Sequence, residues 1–201
     1  RTSKMSNIII VYDTEATCWS KKDGTSSWWC EDWQEPEIIQ ISAIKIETKN
    51  FTEIGAPFNV FIKPTLNPTL SAYCTDLTSI TNERLDNEGV TFLEGCKLFN
   101  AYCGAHEQHS YGGDHTVMNY NLRELYNLSA ELNDFTGHDI RQLFLKIDPA
   151  CKDVNSGGLS QHFKLAFQAN QHYALDDCRS ISASLEHFKA HPEVLSYFKC
   201  P

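Results

Sequence analysis

The sequence predicts an α/β fold with a mixed β-sheet, on three observations. A β-branched run over 7–12 opens the chain, and two more strand patterns follow before residue 63. From Pro64 onward, apolar residues recur mainly at helical spacing, with room for one or two further strands.

In order, Asn7-Ile8-Ile9-Ile10-Val11-Tyr12 is nearly continuous in apolar character, as in a strand covered on both faces, and it ends in Asp13. Residues 20–36 are polar and turn-rich and are closed by Pro36, so they read as a long loop or insertion. Ile39, Ile41, Ala43, Ile44 and Ile46 give a second strand from Glu37, and 58–62 a third. Asn67-Pro68 and Ser71 are start signals for short helices, and 90–102 is a longer amphipathic helix. A short segment, 108–111, leads into the turn Gly112-Gly113-Asp114, which opens a helical stretch toward Leu132. Residues 138–145 begin as a strand and continue as a helix, and Gly157-Gly158 precedes a helix to Phe167. Ile181, Leu185 and Phe188 mark a last helix over 174–189.

A chain of 201 residues, 41% hydrophobic, suffices for one domain with its own core. Residues 1–6 are expected to be a disordered or non-native leader, with Met5 as a natural start, and the domain to span 7–201. No run approaches the roughly 18 apolar residues of a membrane span, and no apolar signal core follows the basic N-terminus, so the expected location is cytoplasmic, away from membranes. The net charge of −9 excludes attraction of nucleic acid by a whole-molecule field. A polyanion must be held locally, by a small cation cluster or by metal ions on the protein's own carboxylates. The eight cysteines form no C-x-x-C pair and read as reduced, mostly buried thiols. Cys103, His106, His109 and His115 are closely spaced, but zinc needs four convergent ligands, and a polar loop is the simpler reading.

Asp13 and Glu15, one residue apart at a strand end, project from the same face of the sheet. Such a pair is stable near neutral pH only if one carboxyl is protonated or a cation sits between them, and oxygen ligands select Mg²⁺ or Mn²⁺. Alternatively, one of them points to solvent. Asp114 follows two glycines that permit a tight turn, and alone it would be an ordinary helix cap. His172 precedes the last helix and Asp177 lies in its first turns, a spacing that lets an imidazole and a carboxylate converge.

Together these residues carry a resemblance. Val11-Tyr12-Asp13-Thr14-Glu15-Ala16-Thr17-Cys18-Trp19, Tyr111-Gly112-Gly113-Asp114 and His172-Tyr173-Ala174-Leu175-Asp176-Asp177 resemble the three motifs of the DEDDh 3′→5′ exonucleases. Pro36-Glu37-Ile38-Ile39-Gln40-Ile41-Ser42-Ala43, Lys63-Pro64-Thr65, Asn67-Pro68 and Leu77-Thr78-Ser79-Ile80-Thr81 are similar to the Eri/KapD-like exoribonuclease branch. The likeness spans roughly residues 8–190. Two departures stand in the second motif: Tyr111 replaces the usual tryptophan, and an extra glycine precedes Asp114.

The resemblance implies an RNase H-like, five-stranded mixed sheet flanked by helices. It implies Asp13, Glu15, Asp114 and Asp177 as ligands of two divalent ions, Mg²⁺ or Mn²⁺, with His172 as general base. The family's aspartate lies five positions after the histidine, which selects Asp177 over Asp176. Ala16, Thr17 and Trp19 are placed at the terminal nucleotide. The implied activity is removal of nucleoside 5′-monophosphates from the 3′ ends of single-stranded or short RNA. Two metals about 3.5 to 4 Å apart serve such a reaction, Asp13 bridging them, Glu15 and Asp177 on the nucleophile side, Asp114 on the other. RNA against DNA stays open, because 2′-hydroxyl readout depends on pocket geometry. An inactive binding module of the same fold is the other alternative, disfavoured because all five side chains are present. Arg123, Arg141, Lys164 and Arg179 are either phosphate contacts or ordinary surface cations. Trp28, Trp29 and Trp33 read as a cluster pinning the 20–36 loop rather than as a base-stacking surface.

Overall fold

A computed structural model describes residues 7–21, 26–27 and 31–198. The leader 1–6, Trp28 and Trp29, Cys30 and Cys200 lie outside the described residues. Strand β1, Ile8–Ala16, is the middle of a five-stranded sheet. A small hairpin of β2 (Trp19–Ser20) and β3 (Ser26–Ser27) stands apart within the expected loop. The sheet continues with β4 (Ile38–Glu47), β5 (Thr52–Phe61), β6 (Gln108–Ser110) and β7 (His138–Asp139), in the order β5-β4-β1-β6-β7. The β1–β4 and β4–β5 pairs are antiparallel, while β1–β6 and β6–β7 are parallel, so the sheet is mixed as expected.

Helices cover both faces. They are α1 (Ala72–Thr78), α2 (Asn82–Glu88), α3 (Phe92–Cys103), α4 (Asp114–Tyr120), α5 (Arg141–Ile147), α6 (Leu159–His162), α7 (Ala174–His187) and α8 (Pro192–Tyr197). The period of two along β1 sorts its side chains. Ile9 and Val11 pack with Cys178, Ile181 and Leu185 of α7, whereas Ile10 and Tyr12 pack with Phe99 of α3 and Met118 of α4. Each fully buried aliphatic side chain here contributes about 1.5–3 kcal/mol. A smaller cluster of Cys18, Ile39, Phe61, Cys74 and Leu85 sits under α1 and α2. The six described cysteines are free and buried.

The far end of β1 is fixed by polar groups. Its pairing with β4 shifts between Glu15 and Ala16, a bulge that re-aims the chain. Thr17 then donates its N–H to the Glu37 carbonyl, and its hydroxyl donates to the Glu35 carbonyl at 2.6 Å while accepting from the Glu37 N–H at 2.9 Å. The fully buried Glu37 carboxylate accepts the N–H groups of Thr65, Leu66 and Asn67 and the Tyr126 hydroxyl. Four charge-assisted donors offset the cost of burying it and pin the 64–67 segment beside β1.

Several elements differ from the sequence reading. No helix starts at Asn67-Pro68, whose backbone is drawn onto Glu37, whereas Ser71 does cap α1, accepting from the Cys74 N–H. The stretch from Asp114 ends at Leu125 in a π-helical turn (Asn121–Leu125), not at Leu132, with Asn127 at φ 51°. Asn121 repays the irregularity, accepting from the Ile38 N–H and donating to the Pro36 carbonyl. Helix α6 stops at His162 rather than Phe167, because Lys164 takes a left-handed φ of 53°. The segment read as a polar loop is one only over 104–107: Cys103 ends α3 in the core, and His109 is buried in β6 with its ring stacked on His138. Burial, and then His138, push the His109 imidazole down to about 3, so it stays neutral. Among the described residues, no helix is long and apolar enough to cross a membrane.

Candidate active site

The alternation that sorts the core also sorts the acids. Asp13 and Glu15 continue the row of Ile9 and Val11, and that row meets the N-terminal turn of α7, where Asp177 lies. One oxygen each of Asp13, Glu15 and Asp177 lies within 4.8 Å of the others, and all three side chains are buried. Asp177 Oδ2 accepts from the Ser156 hydroxyl at 3.0 Å. Asp177 Oδ1 is buried without a partner. Close approach requires glycine at 157: a Cβ there would clash with Asp177 Oδ1 and meet Gln171 Cα at 2.9 Å.

Asp114 arrives from the other face. Thr14, between the two strand acids, points toward α4 and donates both its N–H (3.0 Å) and its hydroxyl (2.7 Å) to Asp114 Oδ1. Gly112, at φ 120°, makes the turn that brings α4 to the strand end, and its N–H donates to Asp139 Oδ1. Asp114 is the first residue of α4 rather than its cap, which is Gly113.

The electrostatics follow from four carboxyls sharing one cleft, three of them buried and Asp114 partly so. Burial, then Asp177, Asp114 and Glu15, raise Asp13 well above the usual carboxylate range; burial, Asp177 and Asp114 do the same for Glu15. Asp114 is raised by burial against the opposing effect of its Thr14 hydrogen bonds, and burial pushes Asp177 up to about 7. The four cannot all be ionised by themselves. An all-oxygen donor set with one orphaned buried oxygen is what a hard divalent cation fits, and the residues present fit such a group.

The acids floor a cleft of about 410 Å³. His172 stands at its wall, half-buried on a left-handed backbone (φ 63°), with Nε2 3.4 Å from Asn155 Nδ2; burial lowers its imidazole pKa. Ala16 and Thr17 line the cleft, but the Thr17 N–H and hydroxyl are already engaged with Glu35 and Glu37. Trp19 does not line it: the ring is buried edge-on against Trp33 at 5.6 Å, so this position departs from the expected nucleotide contact. Trp33 itself is 60% exposed, and its expected partners Trp28 and Trp29 lie outside the described residues. Sequence reasoning gave no role at the site to Tyr73 and Leu77, which form a wall on α1, or to Ser156-Gly157, which shape the Asp177 side. Thr14 was the readable omission, since alternation alone puts it opposite its two neighbours.

One other ligand-type grouping occurs among the described residues, Asp148, Cys151 and His162. It lies outside the cleft. Asp148 there caps a 3₁₀ turn through the Ala150 N–H and meets His162 Nε2 at 2.7 Å.

A family model described as Exonuclease (RNase_T) matches residues 10–185. The chain belongs to the exonuclease family. It is 36% identical over 94 residues to the 3′-5′ exonuclease Snipper of Drosophila melanogaster, a match covering 47% of this chain and 31% of that protein. It is 34% identical over 94 residues to ERI1 exoribonuclease 2 of Xenopus laevis, covering 47% of this chain and 12% of that one. The matched region is thus under a third of the length of these relatives. Among solved structures, cell-death related nuclease 4 (CRN-4) superposes with a TM-score of 0.72 at 19% identity, over 92% of this chain and 64% of the other. The nuclease domain of 3′hExo, a DEDDh family member bound to rAMP, gives 0.66 at 19% identity, over 96% of each chain. These likenesses establish the RNase H-like fold of the exonuclease family for this chain.

Proposed function

We propose that this exonuclease-family chain is a metal-dependent 3′→5′ exonuclease acting on single-stranded or short RNA, releasing nucleoside 5′-monophosphates. The observation that carries the reading is the convergence of Asp13, Glu15 and Asp177 within 4.8 Å, with Asp114 lining the same cleft. The likeness to ERI1 exoribonuclease 2 supports RNA as the substrate. Asp13, Glu15, Asp177 and Asp114 would hold two divalent ions, Mg²⁺ or Mn²⁺. Bound there, the ions supply a more acidic water and neutralise charge on the phosphate.

The chain's own groups do the rest. His172 accepts a proton from the attacking water, and its burial keeps it neutral at pH 7. The water oxygen forms a bond to phosphorus, the bond to the 3′ oxygen of the preceding nucleotide breaks, and that oxygen takes a proton from solvent water and leaves as a hydroxyl while His172 returns its proton to solvent. Tyr73 and Leu77 offer the terminal nucleotide an aromatic and an apolar surface against Ala16 and Thr17. The acids repel phosphate when metal-free, so binding and turnover both depend on the ion.

Matched RNA and DNA ladders, labelled at the 3′ or the 5′ end, test this with and without chelator. Expected is metal-dependent shortening from the 3′ end, faster on RNA. Hydrolysis that survives chelation, or shortening from the 5′ end, contradicts it. His172→Ala is expected to lower kcat about 10²- to 10⁴-fold with end binding nearly intact. Equal losses in both count against its role as base.

A further inference from the structure

The cleft continues past the carboxylates. Tyr111 and Ser156, which line it, also line a second depression of about 370 Å³ whose other walls include Arg141 and Lys152. Asp153 also lines this depression, but it is paired with Lys152, and the arginine there is left without an acid of its own among the described residues. Of the four arginines among the described residues, Arg84 is paired with Glu88, Arg123 with Asp134 and Arg179 with Glu53. Among the described residues, Arg141 has no carboxylate within ion-pair distance. Its nearest acid in sequence, Asp139, is committed elsewhere: Oδ1 accepts the N–H groups of Gly112 and of Arg141 itself, and Oδ2 faces Gln142.

The guanidinium is nevertheless held in place. It lies over the Tyr111 ring at 5.9 Å, Nη2 donates to the Lys152 carbonyl, and Nε is buried without a partner. Tyr111 is fixed in turn by its hydroxyl bond to the Cys151 carbonyl at 3.2 Å. With Nε buried and Nη2 engaged, the guanidinium is held in orientation, and Nη1 is the edge of the fork left to meet a phosphate. Lys152 adds a second cation on the same rim, its side chain 73% exposed and 4.0 Å from Asp153. The depression adjoins the histidine side of the cleft, since Asn155 on its wall contacts the His172 ring.

We propose that Arg141 and Lys152 form a phosphate subsite for the substrate strand, holding a backbone phosphate on the 5′ side of the scissile bond. This rests on the exonuclease reading above. A protein of net charge −9 with an acidic cleft has no long-range attraction for a polyanion, so the strand must be gripped by local cations beside the acids. The fork also distinguishes Arg141 from Arg123 and Arg179, whose forks are closed by carboxylates.

The test compares wild type, Arg141→Ala, Arg141→Lys and the exposed-surface control Lys97→Ala on two substrates. One is a short single-stranded RNA. The other is the p-nitrophenyl ester of a nucleoside 5′-monophosphate, which has no upstream phosphate. Arg141→Ala is expected to raise KM for the RNA about tenfold and to reduce the dependence of log KM on log salt by about 0.7. Its loss in kcat/KM on the ester is expected to be several-fold smaller, with Arg141→Lys intermediate on RNA and Lys97→Ala near wild type. An unchanged RNA KM and salt slope, or equal losses on both substrates, overturns the subsite. If wild type cleaves neither substrate, the exonuclease reading has failed instead. RNA binding to wild type and Arg141→Ala by fluorescence anisotropy at saturating Mg²⁺ then decides the subsite alone: equal affinities overturn it.

Discussion

Asp177 and Asp114 reach the end of β1 from opposite faces of one sheet, and the strand receives them differently. On the α7 face, Asp177 joins Asp13 and Glu15 with one oxygen lightly tied to Ser156 and the other without a partner. On the α4 face, Asp114 is anchored by two hydrogen bonds from Thr14 to a single oxygen. Because alternate residues of a strand face opposite ways, three consecutive positions serve both faces: two acids for one side and a clamp for the other. The difference teaches that the halves of the site are unequal. The Asp177 half keeps its coordinating capacity free, and the Asp114 half spends part of it on position.

Breaking the open half has the largest expected effect. Asp177→Asn keeps the shape and removes the charge, and turnover on RNA is expected to fall on the order of 10³-fold or more. Gly157→Ala is next. The added methyl displaces Asp177 or the Gln171 backbone, and a misplacement of about 1 Å costs roughly 10²-fold in rate with a nearly unchanged fold by circular dichroism. In the anchored half, Thr14→Val removes only the hydroxyl and leaves the backbone N–H bond to Asp114. The apparent affinity for Mg²⁺, read from the metal dependence of the rate, is expected to weaken about tenfold. A Thr14→Val loss as large as that of Asp177→Asn removes the distinction between the halves.

The smallest effect is on stability. Burial raises the folded-state pKa of Asp177 from 3.8 to about 7, so the folded protein holds this proton more tightly than the unfolded chain. The stability from that proton is fully present below pH 3.8 and is lost as pH rises through about 7. Asp13, Glu15 and Asp114 are shifted in the same direction. Metal-free protein is therefore expected to lose several degrees of Tm between about pH 4 and pH 7, and Asp177→Asn to flatten that slope. Saturating Mg²⁺ restores the loss by binding the ionised acids. A Tm that rises over this range without metal contradicts the shared burial of the four carboxyls.

Much of this was legible along the chain because it is local. The β-branched run of β1, the period of two in β4 and the spacing from His172 to Asp177 are each contained within a dozen residues. What was not legible depends on distant partners. The Thr14–Asp114 clamp joins residues 100 apart, and Ser156 reaches Asp177 across 21. Asn67-Pro68 carries a helix-start pattern, yet Glu37 captures its backbone from 30 residues away, and local propensity yields to a buried charge needing donors. Trp19 illustrates the reverse case. A motif position suggested a substrate contact, while packing against Trp33 turned the ring elsewhere.

Calorimetric titration of Mn²⁺ into wild type, Asp114→Asn and Asp177→Asn tests the central claim most directly, since it reads the acids without requiring a substrate. The account predicts submillimolar to millimolar binding to wild type, a partial loss for Asp114→Asn and a near-complete loss for Asp177→Asn. No binding to wild type at millimolar Mn²⁺, or an Asp177→Asn variant that binds as wild type does, would contradict it.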